Sequence, residues 1–149
     1  MALRYKSEGE VHTDFHRLFC ATLHYLEDNY GESVANAIIR KMAQDVYRTM
    51  HESVQSGDCM ELCEYWKYYL EREGGVFDIE CSQEGVCLTV HECPAQKRLV
   101  ELGEKPDAAM CRATEVLNDA LAEGSPFRVS LSRTGDFSCV QRFCRRSAQ

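Results

Sequence analysis

The hydrophobic pattern of the chain changes its period near Gly75, and this change constrains the fold more than any other feature. Before that point, apolar residues recur at three- and four-residue spacing, which is typical of amphipathic helices. After it, Phe77, Ile79 and Cys81 alternate with polar residues, as in a half-buried strand. A block of helices followed by strands is typical of an α+β domain.

Three helices are predicted in the first half, over residues 11–29, 32–55 and 59–73. Glycines set their ends, because Gly31, Gly57 and Gly74 follow the last periodic residues. Asp58 is placed to cap the third helix. Each helix presents one apolar stripe, so we expect all three to pack against the rest of the domain.

Two β-hairpins are predicted in the second half. The first pairs residues 77–81 with 86–90, and the second pairs 127–131 with 137–143. Between them, helices are predicted over residues 94–102 and 106–123. The expected fold is therefore a four-stranded antiparallel sheet made of two hairpins, with the N-terminal helices and the two intervening helices packed against it.

The composition indicates one ordinary folded domain. Hydrophobic residues make up 44% of the 149 residues and charged residues 28%, and no linker rich in Pro, Gly or Ser interrupts the chain. We therefore predict a single cysteine-rich α+β domain over residues 1–149. An exposed strand at the sheet edge would favour a homodimer.

Charge and hydropathy restrict the partners. The net charge of −7 disfavours phosphate backbones and anionic lipid surfaces, so we expect no nucleic acid and no membrane partner. No apolar stretch approaches the length needed to cross a bilayer. The first residues lack the apolar core of a signal peptide, so a cytoplasmic location and a small-molecule partner are expected.

The chain contains nine cysteines, and their chemistry dominates the functional interpretation. In a reducing cytosol structural disulfides are rare, and an odd count fits poorly with complete internal pairing. We therefore expect reduced thiols, for which catalysis, metal binding and simple burial are competing roles.

The sharpest local signal is the run from His91 to Pro94. If a strand ends near Glu92 and a helix begins at Pro94, Cys93 lies at the helix N-terminus, where unpaired N–H groups favour an anion. The pKa of its thiol should then fall toward neutrality. His91 precedes it by two residues and could act as its proton partner. The alternative is a thiol that only caps a buried turn.

Two later cysteines extend this hypothesis. Cys111 lies early in the second intervening helix, and Cys139 lies on the last strand. Together with Cys93 they could hold one zinc ion or an iron–sulfur cluster. Separate burial of the three thiols as small apolar groups is the alternative.

Other groupings have simpler explanations. Cys59 and Cys63 lie one helical turn apart and are expected to pack in the core, while Cys81 and Cys87 flank the first hairpin turn and might face each other. Four potential ligands follow at four-residue steps on the first helix. Successive steps drift round the helix, so a polar flank is the expected arrangement. These four residues are His12, His16, Cys20 and His24.

Several of these positions recur in a known family. Glu92-Cys93-Pro94, the helix ending at Leu102-Gly103, Cys111, and Gly135-Asp136 before Cys139 resemble the aminothiazoline-carboxylate hydrolase-like family. The segment from Leu26 to Glu32 also resembles it, so the likeness covers about residues 25–143. A more distant similarity is to vinyl-reductase-type small-molecule-binding domains, which can hold zinc through cysteines.

The resemblance implies a hydrolase that opens a sulfur- and nitrogen-containing ring, with Cys93, Cys111 and Cys139 as the matching positions. Cys93 could attack the ring directly as a thiolate with His91 passing the proton, or a metal held by the three thiols could activate water. The cation for a substrate carboxylate would be Arg98 or Arg112. The alternative is a domain that binds a small ligand or a metal without catalysis.

Overall fold

The computed structural model describes residues 15–146 and has the α+β architecture that the periodicity predicts. Four helices come first, followed by two strands, two helices and two strands. The helices are α1 Phe15–Tyr30, α2 Glu32–Asp45, α3 Arg48–Gln55, α4 Met60–Arg72, α5 Pro94–Glu101 and α6 Ala108–Ala122. The strands are β1 Val76–Ser82, β2 Gly85–Glu92, β3 Phe127–Arg133 and β4 Cys139–Arg145.

The four strands form one antiparallel sheet in the order β1-β2-β4-β3. Both predicted hairpins are confirmed, and each supplies one edge strand and one central strand. The last strand begins at Cys139, two residues later than predicted. The preceding residues form a turn, in which the N–H of Thr134 bonds the carbonyl oxygen of Ser138 at 3.0 Å.

One face of the sheet packs against the helices and forms the main core. The ring of Trp66 on α4 meets that of Phe143 on β4 edge to face, with 5.8 Å between their centroids. Phe127, Leu88 and Leu121 complete the centre of this layer, and each is at least 98% buried. The apolar stripe of α4 thus packs against the inward-facing strand residues, as the helical and strand periods of the sequence predict.

The first hairpin contacts the second through a glycine that no other residue could replace. Gly85 begins β2 at a φ of 137°, and a Cβ atom there would lie 1.8 Å from the carbonyl oxygen of Phe143. That separation is far inside van der Waals contact. Gly85 therefore permits the two central strands to pair closely at this end of the sheet.

The predicted helix over residues 32–55 is wrong in one respect, because it is divided into α2 and α3 near Tyr47. The N–H groups of Val46 and Tyr47 both bond the carbonyl oxygen of Met42, which interrupts the regular ladder. The ring of Tyr47 packs edge to face on that of Tyr65 in α4, with centroids 5.6 Å apart. A tertiary contact accompanies the break, and this segment contains no glycine or proline that would have predicted it.

Candidate functional site

Cys93 lies at the turn between β2 and α5, as the sequence predicts. It occupies the N-cap position of α5 with an extended backbone, and Pro94 takes the first helical position. Its own N–H bonds the carbonyl oxygen of Phe137 at 2.7 Å, which fixes the turn against the loop before β4. The side chain is half-buried and touches two core clusters.

The pKa of the Cys93 thiol is raised, contrary to the prediction of a thiolate near neutral pH. Burial of the sulfur is the main cause, because desolvation penalises the charged form. The backbone N–H groups of Gln96 and Ala95 oppose that effect without forming a regular cap, while the charges of Cys111 and Glu73 add to it. The helix end favours the anion, but it does not compensate for the lost water. Cys93 is therefore a neutral thiol at rest.

Cys111 and Cys139 lie near Cys93, because the charge of Cys111 contributes to the raised pKa of Cys93, and the charges of Cys93 and Cys111 contribute to that of Cys139. Each has its own amide donor, since Gln96 Nε2 lies 3.4 Å from the sulfur of Cys111 and Gln141 Nε2 lies 3.7 Å from that of Cys139. Burial raises the pKa of Cys139 to about 11. The structure thus brings the three predicted thiols into one neighbourhood.

This neighbourhood does not fit the predicted metal centre. Within residues 15–146, no three His, Cys, Asp or Glu side chains are placed so that they could hold one ion. The sulfurs of Cys111 and Cys139 face amide donors, and such donors would have to give way before a metal could bind. The zinc or iron–sulfur hypothesis for Cys93, Cys111 and Cys139 is therefore not supported.

Two residues that the sequence analysis did not identify organise the thiols. Gln96 is 1% exposed, and its side chain clamps Asp107 by accepting from the backbone N–H at 2.7 Å and donating to the carbonyl oxygen at 2.8 Å. The carboxylate of Asp107 caps α6 through the N–H of Ala109 at 2.8 Å. In the sequence, this contact is marked only by a glutamine three positions after Cys93, and the burial of that glutamine is seen only in the structure.

Asp107 also joins the polar flank of α1 to the site. Its carboxylate bonds His24 Nε2 at 2.6 Å and also the thiol of Cys20. Burial alone would raise the pKa of Asp107, but the N–H of Ala109 and the contacts with His24 and Cys20 lower it. Burial and the charge of Asp107 raise the pKa of Cys20 to about 12. The described residues of the predicted polar flank thus have different partners, because His16 bonds Glu73 whereas Cys20 and His24 contact Asp107. His12 lies outside the described residues.

His91 is not placed as a proton partner of Cys93. Its side chain is 51% exposed on the outer face of the sheet, and its Nε2 lies 2.7 Å from Asp78 Oδ2 on β1. The expected partnership fails because β2 ends at Glu92 and the backbone of Cys93 already turns into α5, so that the two side chains no longer follow the strand alternation.

A different imidazole lies beside the turn. A cleft of about 340 Å³ is bounded by the C-terminal end of α4, the first turns of α5 and His16 of α1. His16 Nε2 lies 2.9 Å from Glu73 Oε2, and both side chains are largely shielded from solvent. Pro94 forms part of the wall next to Cys93, and Glu73 acts on the Cys93 thiol electrostatically.

The lining of the cleft is cationic on balance in an acidic chain. Arg72, Lys97 and Arg98 contribute three positive charges, against the carboxylates of Glu73 and Glu101. Of the two arginines predicted for a substrate carboxylate, Arg98 lies on the cleft. Arg112 lies elsewhere, since it pairs with Glu27 of α1 and is absent from the lining.

One pair of cysteines departs from the expectation of reduced thiols. Cys63 of α4 and Cys81 of β1 form a disulfide, with Cα atoms 6.4 Å apart. Packing of α4 on the inner face of β1 brings them together, as a core position for Cys63 predicts. Cys87 does not face Cys81, because it pairs in register with Glu80 and its side chain points to the other face.

No family of known proteins matches the chain, and no curated protein matches it. The resemblance to the aminothiazoline-carboxylate hydrolase-like family therefore stays a prediction. Between residues 15 and 146, every helix is too short or too polar to traverse a bilayer.

Proposed function

We propose that this chain is a small hydrolase, which opens an anionic sulfur- and nitrogen-containing ring of the aminothiazoline-carboxylate type with Cys93 as nucleophile. The observation that carries the proposal is the position of Glu73. This one carboxylate lines the cleft, holds His16 and influences the Cys93 thiol. Nucleophile, imidazole and orienting carboxylate are the components of thiol-dependent acyl-type chemistry.

The reaction starts from the neutral thiol. As the Cys93 sulfur bonds to the ring carbon of the C=N group, its proton passes to His16, which Glu73 holds through Nε2. The C=N electron pair moves to the exocyclic nitrogen during this attack and re-forms the double bond as the ring C–N bond breaks, and the leaving ring nitrogen takes the proton from His16. Water next attacks the same carbon, the C–S bond to Cys93 breaks, and a proton from the water restores the thiol. Lys97 pairs with Glu92 and Arg98 with Glu101, and the substrate carboxylate would compete with these partners for the positive charge.

Binding without catalysis is the second candidate, and the raised pKa of Cys93 favours it. Cys93 adjoins the cleft through Pro94, and a neutral, half-buried thiol in that position suits ligand binding as well as it suits a nucleophile. In that case the net cationic cleft would hold the same class of anion unchanged.

Turnover of aminothiazoline-carboxylate, followed by release of the ring-opened product, tests the proposal. We expect activity in the unaltered chain, loss of at least about 10²-fold in Cys93→Ser, and little change in Cys144→Ser, a matched control at an exposed cysteine. Calorimetric binding of the substrate to Cys93→Ser, without turnover by the unaltered chain, would favour the binding domain. If the unaltered chain shows no turnover and Cys93→Ser shows no binding, both candidates are contradicted.

A further inference from the structure

The sheet has a second face, which the helices leave open within the described part of the chain. Side chains alternate along each strand, and the set that points away from the core is mostly exposed on β1, β3 and β4 and mostly half-buried or buried on β2. Glu80, Cys87, Arg142 and Ser130 form one row across this open face, as the strand register shows. Asp78, Thr89, Val140 and Ser132 form the next row.

The charges on the open face are separated by strand. Both acidic residues, Asp78 and Glu80, lie on the edge strand β1, whereas Arg142 lies on β4 and Arg128 on the other edge strand, β3. Within residues 15–146, Glu80, Arg128 and Arg142 form no ion pair with their own chain. One side of the face is thus negative and the other is positive.

The middle of the open face is different from its sides. Cys87, Thr89 and Val140 are uncharged and half-buried, although no helix within residues 15–146 covers them. Arg142 is the one charged residue among these central positions, and the other charges lie toward the edge strands, so the face approaches the uncharged centre and charged rim of a protein–protein contact. The face therefore has both a charge pattern and a centre that a partner could cover.

We propose that a second copy of this chain docks on the open face, so that β1 of each copy lies over β3 of the other. A two-fold axis parallel to the strands produces this arrangement, and it brings Glu80 of each copy near Arg128 and Arg142 of its partner. The other axis within the plane of the sheet would place β1 on β1 and oppose like charges. Charge complementarity thus selects one arrangement of two identical faces.

The dimensions of the face predict the strength of the dimer. Four strands at about 4.8 Å spacing, each about seven residues long, give a footprint of roughly 440 Å² per copy. The total of roughly 900 Å² is below the range of stable complexes, so the dimer is weak, reversible and sensitive to salt. The cleft lies on the helix side and stays accessible, which makes this inference independent of the proposed reaction.

Sedimentation equilibrium of charge-reversal variants tests the proposal. All are made in a Cys144→Ser background, because Cys144 is exposed on the same face and could cross-link copies. We expect the background chain to dimerise, and both Glu80→Arg and the double variant Arg128→Glu with Arg142→Glu to dimerise at least about tenfold more weakly. An equimolar mixture of the two variants should associate at least as tightly as the background chain, because their faces are then opposite in charge.

The matched control is Glu64→Arg, which makes the same charge change at an exposed position of α4 and should leave the dimer constant unchanged. Circular dichroism checks that each variant is folded. A background chain that is monomeric at about 1 mM would overturn the proposal. So would a mixture that fails to associate, or an equal effect of Glu64→Arg.

Discussion

His16 and Glu73 are 57 positions apart in the chain, yet His16 Nε2 and Glu73 Oε2 are 2.9 Å apart in the fold. Their side chains are 15% and 20% exposed, so solvent screens the contact less than it screens a surface pair. Glu73 follows the last residue of α4, and His16 lies in the first turn of α1. The contact therefore fixes α1 against the end of α4 at the cleft.

The proposed proton transfer depends on this pair. We expect His16→Ala to lower kcat for ring opening by about 10²- to 10⁴-fold, the usual contribution of a general base. Glu73→Gln should have a smaller effect in the same direction, because the amide can still orient the imidazole. The measurement is steady-state kinetics with aminothiazoline-carboxylate, with kcat and KM determined separately.

The matched control is His51→Ala, which removes a histidine of α3, a helix that does not line the cleft. Retention of kcat in this variant would show that the loss is specific to His16. A His16→Ala variant with unaltered kcat would contradict the proposed role of the pair.

Alkylation of Cys93 should be slow at neutral pH. Its pKa is raised above the ordinary thiol value of 9.0, so the reactive thiolate is a minor species at pH 7 and its share rises about tenfold per pH unit below the pKa. We expect the labelling rate by iodoacetamide to rise steadily from pH 7 through pH 9 without a plateau. Mass spectrometry of the Cys93 peptide follows the rate. A plateau below pH 8 would mean that the pKa of Cys93 is lowered, as the sequence predicts, and would contradict the raised pKa.

Stability should decline in alkali. Burial raises the pKa of Cys59 to about 12 from 9.0, so the unfolded chain releases this proton at lower pH than the folded chain. The stabilisation is present below pH 9 and is lost as the pH rises toward 12. For one thiol the free energy of unfolding falls by at most about 1.4 kcal/mol per pH unit in that window.

Urea unfolding at pH 8, 9 and 10 measures this decline. Cys59→Ala should show a shallower decline than the unaltered chain, whereas Cys144→Ser should not change it. Equal slopes for all three proteins would refute the assignment to Cys59.

The disulfide between Cys63 and Cys81 makes a countable prediction. Seven of the nine cysteines should react with a thiol reagent in denaturant without reductant, and nine after reduction. Cys63→Ala or Cys81→Ala should lower the free energy of unfolding by about 3 kcal/mol, because the bond closes a loop of 18 positions in the unfolded chain. Denaturant titration measures the loss. Nine reactive thiols before reduction would contradict the bond.

The fold was largely predictable because its signals are local. The change of period near Gly75 and the two turns were sufficient to place four strands and most helices. The break at Tyr47 was not predictable, since its ring contact with Tyr65 depends on α4. Tertiary packing, and not local propensity, decides such a break.

The site was predictable only in part, for the same reason. The turn at Cys93 is a local feature, but the pKa of its thiol depends on burial, which the sequence does not state. Cys111 and Cys139 were found by their residue type. His16 and Glu73 were not identified as a pair, because neither segment carries a sequence pattern that predicts a contact with the other, 57 positions away.

The separation of the cleft residues along the chain has a consequence for synthesis. His16 leaves the ribosome before Glu73, and the turn at Cys93 follows both. A nascent chain therefore carries these groups apart, and the cleft exists only after α1 has docked on the end of α4. Any reactivity of Cys93 that depends on these partners would arise only after that contact has formed.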